Sequence, residues 1–87
     1  MELTGKKVLV IGGAGFIGAF VVRELLKEDV GEVVIYDNFQ RGKKENLADV
    51  LKDDRCSIYP YGGDVRETDI LDTAMQGKDY VFHLAAM

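Results

Sequence analysis

The sequence predicts an α/β fold built on a parallel sheet, and three observations carry that expectation. Four apolar runs of strand length, Val8 to Ile11, Val33 to Tyr36, Cys56 to Tyr59 and Tyr80 to Leu84, are separated by stretches with helical spacing. The first run is continuously apolar rather than alternating, which suits a strand covered by helices on both faces. A turn with four glycines in seven residues, Gly12-Gly13-Ala14-Gly15-Phe16-Ile17-Gly18, joins that run directly to the first helical stretch.

Taken in order, Val8 to Ile11 is the expected central strand. From Phe16 to about Lys27 the apolar residues Phe16, Ile17, Ala19, Phe20, Val21, Val22, Leu25 and Leu26 recur at helical spacing, with Arg23, Glu24, Lys27 and Glu28 on the other face. This is an amphipathic helix lying on a sheet, ended by Val30-Gly31. The β-branched run Val33 to Tyr36 is a second strand, and strand, helix, strand implies a right-handed parallel crossover. Asp37 to Gly42 is a polar loop, Lys43-Lys44-Glu45 a solvated helix start, and Leu47, Val50 and Leu51 mark a short second helix. Cys56 to Tyr59 is a third strand closed by Pro60, whose missing N–H confines it to edges and strand ends; an edge position is expected, with Tyr59-Pro60-Tyr61 packing at the strand end. After the Gly62-Gly63-Asp64-Val65 loop, Ile70, Leu71, Ala74 and Met75 form a helical stripe that stops at Gly77, before the fourth strand. The result is β-α-β-α-β-α-β, the first half of a Rossmann-like doubly wound sheet with a further strand across the switch point.

The glycine turn is where ligand chemistry is expected. Gly13, Gly15 and Gly18 spell G-x-G-x-x-G, while Gly12, Gly15 and Gly18 spell the more informative G-x-x-G-x-x-G. One glycine lets the chain reverse, one lets the backbone approach a pyrophosphate, and one lets helix pack closely on strand. The free N–H groups of the helix's first turn then face the anion with the positive end of the helix dipole behind them. The plain alternative is a glycine-rich loop without a ligand. Asp37, at the end of the second strand and 19 residues beyond Gly18, stands where an acidic side chain accepts hydrogen bonds from the adenosine ribose and repels the extra phosphate of NADP. NAD is therefore favoured. Arg41, which would suit a 2′-phosphate, keeps NADP open as the lesser option.

Composition excludes other classes. With 87 residues the chain is at most one domain, and its balance of 47% hydrophobic and 30% charged residues is that of a globular protein rather than a disordered one. A net charge of −4 without a basic stripe argues against nucleic acid and anionic membrane surfaces. One cysteine, Cys56, and one histidine, His83, make neither an internal disulfide nor a metal site. Lys6-Lys7 before an uncharged stretch superficially resembles a secretory signal, but four glycines interrupt it and no cleavage pattern follows, so a cytoplasmic protein is expected. His83 has no acidic or nucleophilic neighbour in sequence and reads as a packed, hydrogen-bonded strand residue rather than a general base.

The segments VLVIGGAGFIG, DNFQRG, GDVR and VFHLAA together resemble the NAD-dependent epimerase/dehydratase family of extended short-chain dehydrogenases, over nearly the whole chain. That resemblance implies that Gly12, Gly15, Phe16, Ile17 and Gly18 cradle the pyrophosphate. It further implies that Asp37 and Asn38, with Phe39, Gln40, Arg41 and Gly42, hold the adenosine ribose, and that Asp64 and Val65 flank adenine. Leu84, Ala85 and Ala86 would line the cofactor beyond the fourth strand. All these positions fall at carboxyl ends of parallel strands, where such sheets bind ligands. The family's catalytic Tyr-x-x-x-Lys pair has no counterpart, because Tyr36, Tyr59, Tyr61 and Tyr80 are followed four positions later by Gln40, Gly63, Val65 and Leu84.

Residues 1–87 thus read as the N-terminal part of a dinucleotide-binding domain, without a second domain and without catalytic residues of their own. Two functions of different class remain. In one, a longer parent enzyme oxidises a sugar hydroxyl of a nucleotide sugar and recycles NAD, as epimerase or dehydratase. In the other, the same pocket belongs to a non-catalytic NAD(P)-sensing or scaffolding module, or to a related NAD(P)-dependent reductase. UDP-glucose, UDP-N-acetylglucosamine, GDP-mannose and dTDP-glucose are all compatible substrates. The 87 residues alone are expected to be catalytically inert and to self-associate as dimers or aggregates, because the fourth strand would offer an unpaired edge.

Overall fold

The computed structural model describes residues 2–39, 43–62 and 64–84. Strands β1 (Lys7–Ile11), β2 (Glu32–Tyr36), β3 (Cys56–Ile58) and β4 (Tyr80–His83) form one sheet in the order β3-β2-β1-β4. All three pairings are parallel, with Leu9 opposite Val34 on one side and Val81 on the other, and Val34 opposite Ser57. The expected sheet, its central strand and the edge position of β3 are all present. Helix α1 (Phe16–Leu26) links β1 to β2, and helix α2 (Thr68–Met75) precedes β4.

The core explains why β1 is apolar throughout. Val8 and Val10 pack with Ala19, Val22 and Leu25 of α1 and with Leu47 and Val50 on one face. Leu9 and Ile11 pack with Val34, Tyr36 and Ala74 of α2 on the other. Val8, Leu9 and Val10 are fully buried, and each such side chain contributes about 1.5–3 kcal/mol by leaving water.

Three expectations are corrected. The second helix is not one helix but two 3-10 turns, Lys44–Leu47 and Val50–Lys52. Tertiary bonds hold the segment at the break: the Asn46 carbonyl accepts from Arg23 Nη2 at 2.7 Å, and the Asp49 carboxylate accepts from the same guanidinium at 2.7 and 3.0 Å, competing with regular helix geometry there. In α1 only Gly18, Ala19, Val22 and Leu25 are buried, whereas Phe16, Ile17 and Phe20 are 85%, 72% and 61% exposed. A helix on one sheet buries a stripe spaced by three and four residues, and these three lie outside it. His83 is exposed rather than packed, because it shares with Val81 the face of β4 that neither α1 nor the buried cluster beneath α2 covers.

The ends of the elements follow from local chemistry. Gly77 adopts φ +73°, the left-handed turn that stops α2 as expected. The carbonyls at and just beyond the end of α1 are gathered by Arg55, whose guanidinium donates to the backbone oxygens of Leu26, Glu28 and Val30 and to Asp53. At the end of β3 the rings of Tyr36, Tyr59 and Tyr61 meet in succession, the first pair tilted and the second edge-to-face, with centroids 5.7 and 5.6 Å apart.

Candidate functional site

Because all four strands run parallel, the turn after β1, the loop after β2, the segment after β3 and Leu84 emerge at one end of the sheet. Gly12 reverses the chain with φ +86°, and its N–H donates to the Tyr36 carbonyl at 2.8 Å, so the turn is stitched to the end of β2. Gly18 has no room for a side chain: a Cβ there would lie 2.1 Å from the Gly12 oxygen and 2.7 Å from the Gly13 Cα. Gly13 is constrained by Ile35, 2.8 Å from its notional Cβ. Gly15 differs, since the nearest atom to its notional Cβ is the Gly12 oxygen at 3.8 Å. The protein itself does not require glycine at that position.

Gly15 is also the residue that starts α1, in extended conformation and with no side-chain hydrogen bond capping the helix. No acidic residue occupies the first turn. Helix N–H groups without a side-chain acceptor, at the positive end of the dipole and beside open space, are suited to a phosphate.

Asp37 closes the turn against the β2 loop. One carboxylate oxygen accepts from the Ala14 N–H at 3.0 Å and the other from the Phe39 N–H at 2.7 Å. Each oxygen retains a further lone pair, so the group is oriented yet able to accept from a ligand hydroxyl. Asn38 is exposed. Phe39 takes φ +62°, unusual for a bulky residue, and its ring faces the Lys44 ammonium at 5.6 Å. Gln40, Arg41 and Gly42, and likewise Ala85 and Ala86, lie outside the described residues.

Asp64 is tied in from two sides. Its carbonyl accepts the Tyr36 hydroxyl at 3.0 Å, while its carboxylate accepts from Arg66 Nη2 at 2.6 Å and from the Arg66 N–H at 2.9 Å. These bonds hold the carboxyl down to about 2. Val65 packs on the cluster around Leu9 and Tyr36, and the Leu84 N–H bonds the Ile11 carbonyl at 2.8 Å, setting Leu84 beside the turn's origin. The Tyr36 hydroxyl and the Asn46 amide, which donates to the Ala14 carbonyl at 2.9 Å, were not singled out by any sequence spacing. Among the described residues no group of His, Cys, Asp and Glu is arranged to hold a metal, and no helix is long and apolar enough to cross a membrane.

Residues 9–87 match the model of the 3-beta hydroxysteroid dehydrogenase/isomerase family. The chain belongs to that family. Relatives named as UDP-glucose 4-epimerase and UDP-glucuronic acid decarboxylase agree with the expected epimerase/dehydratase resemblance. The chain is 36% identical over 86 residues to a UDP-glucose 4-epimerase of Rickettsia bellii, covering 94% of this chain and 24% of the relative. It is 35% identical over 79 residues to UDP-glucuronic acid decarboxylase 3 of Arabidopsis thaliana, covering 91% and 21%. Among solved structures, the Bordetella bronchiseptica enzyme WbmF in complex with NAD+ superposes with a TM-score of 0.80 at 33% identity, over 100% of this chain and 25% of that one. UDP-glucuronic acid 4-epimerase from Bacillus cereus in complex with NAD gives 0.78 at 35% identity, over 93% and 27%. The chain therefore spans about a quarter of the length of these proteins.

Proposed function

We propose that this chain is the NAD-binding portion of a nucleotide-sugar epimerase or dehydratase. The observation that carries the proposal is the hydrogen bond from the Ala14 N–H to Asp37, which sets an oriented carboxylate beside an uncapped helix start at the carboxyl ends of β1 and β2. In this reading the N–H groups at Gly15 to Gly18 receive the pyrophosphate, Asp37 and the loop from Asn38 to Gly42 take the adenosine ribose, and Asp64 with Val65 flanks adenine. Leu84, Ala85 and Ala86 would line the cofactor beyond the fourth strand. The bound dinucleotide would supply a hydride acceptor. Residues 1–87 contain no Tyr-x-x-x-Lys, so in this reading their part is to bind and orient, and alone they should be inert in epimerase and dehydratase assays. The buried, free thiol of Cys56 suits the cytoplasm's reducing conditions.

Calorimetry of NAD against NADP tests the proposal. NAD should bind more tightly, because the carboxylate that accepts ribose hydroxyls repels a 2′-phosphate. Asp37→Ala should weaken NAD and narrow the NAD/NADP ratio by about tenfold, one charge-assisted hydrogen bond's worth. A ratio that does not move would remove Asp37 from the ribose and the proposal with it.

A further inference from the structure

We infer that Asn46 is a positioning residue for the phosphate turn, an inference that rests on the proposed dinucleotide site. The Ala14 peptide is engaged on both sides. Its N–H donates to Asp37 at 3.0 Å, and its carbonyl accepts both the Asn46 side-chain amide at 2.9 Å and the Lys43 N–H at 3.2 Å. The peptide unit from Ala14 to Gly15 is planar, so holding that carbonyl fixes the plane that leads into the first residue of α1. Asn46 is itself held from behind by α1, because Arg23 Nη2 donates to the Asn46 carbonyl at 2.7 Å while also pairing with Asp49. The contacts close a ring: turn, α1, Arg23, Asn46 and back to the turn.

The arrangement predicts an effect on binding larger than its effect on folding. When the Asn46 donor is removed, the buried Ala14 carbonyl keeps the Lys43 N–H and is not orphaned, so stability falls little. What disappears is the side-chain tie that sets the peptide's direction. The Asp37 carboxylate keeps the Ala14 N–H and the Phe39 N–H, so the ribose aspartate stays in place and the loss falls on the pyrophosphate turn.

Two variants separate donor from shape: Asn46→Ala removes both, and Asn46→Leu keeps the volume without a donor. Calorimetry with ADP-ribose and with adenosine on the 87-residue chain is the readout, alongside thermal melting. Both variants should weaken ADP-ribose about tenfold, the scale of one well-placed hydrogen bond, change adenosine less than about twofold and leave melting within a few degrees. Unchanged ADP-ribose affinity, a parallel loss for adenosine, or wild-type behaviour of Asn46→Leu would each overturn the assignment. Failure of the unsubstituted chain to bind ADP-ribose would sink the proposed function instead. The Asn46 tie is then judged by hydrogen exchange of the Ala14 amide, which must quicken in Asn46→Leu and would contradict the tie by staying the same.

Discussion

Gly15 and Gly18 have the same residue type and different physical duties, and exchanging each for a larger residue separates ligand from fold. Gly15 already has ordinary extended geometry, φ −76° and ψ 172°, and a Cβ there meets nothing closer than 3.8 Å. Gly15→Val should therefore fold, with stability within about 1 kcal/mol of the parent since the backbone is one a side chain tolerates. Its isopropyl group would instead fill the space over the helix N-terminus and deny a phosphate two or so charge-assisted N–H bonds, each worth about 1.5–3 kcal/mol. That loss, about 3 kcal/mol or more, is at least about a hundredfold in affinity. Gly18→Ala is the counterpart, because a Cβ 2.1 Å from the Gly12 oxygen forces α1 away from the turn; overpacking of this kind costs about 1–3 kcal/mol, roughly 5–20 °C in a domain of this size. Calorimetry of NAD and thermal melting on both variants give the answer. NAD binding by Gly15→Val at the parent's affinity would refute the reasoning, as would an unfolded Gly15→Val beside a stable Gly18→Ala.

Three further outcomes are expected. Asp53 is drawn down to about 2 by its bonds to Arg55, and a carboxyl depressed in the folded state gives stability that is present above about pH 4 and is lost as pH falls toward 2; an acid titration by circular dichroism should show this loss, less steeply in Asp53→Asn, and equal slopes would contradict it. Tyr36→Phe removes the hydroxyl bonded to the Asp64 carbonyl and should cost about 0.5–1.5 kcal/mol in urea unfolding, an unchanged midpoint arguing against that bond. Among the described residues β4 pairs with β1 alone, and with Phe16, Ile17 and Phe20 exposed the 87-residue chain should show rising mass by light scattering as concentration increases; a monomer at every concentration would contradict the expectation.

Much of this structure is legible in the chain because β1 and β2 obey strong local rules. Val8 to Ile11 and Val33 to Tyr36 are apolar on both faces, a pattern that only double coverage satisfies, and the glycine turn fixes where the helix must begin. Helix exposure is harder to read: Phe16, Ile17 and Phe20 look like core from hydrophobicity alone, and which part of an apolar surface meets the sheet is decided by the rotation of α1. Residues 44–52 are obscured for another reason. Their helical periodicity is real, but tertiary hydrogen bonds from Arg23 take the Asn46 carbonyl and the Asp49 carboxylate, and no local signal announces a partner 23 or 26 residues away. Asn46 escapes notice for the same cause, since its acceptor on Ala14 lies 32 residues upstream. The role proposed for Asp37 rests on a fixed spacing from the glycines, which the sequence displays directly.

The central claim, that the glycine turn, Asp37 and the Asp64 segment form one dinucleotide site, is tested most directly by titrating the ¹⁵N-labelled chain with ADP-ribose and following backbone amide shifts. Saturable shifts are expected at Gly15 to Gly18, at Asp37 to Phe39 and at Asp64 and Val65, with the amino-end residues Lys7 and Glu32 unmoved. Shifts confined to residues away from the carboxyl ends of the strands, or none at millimolar ligand, would contradict it.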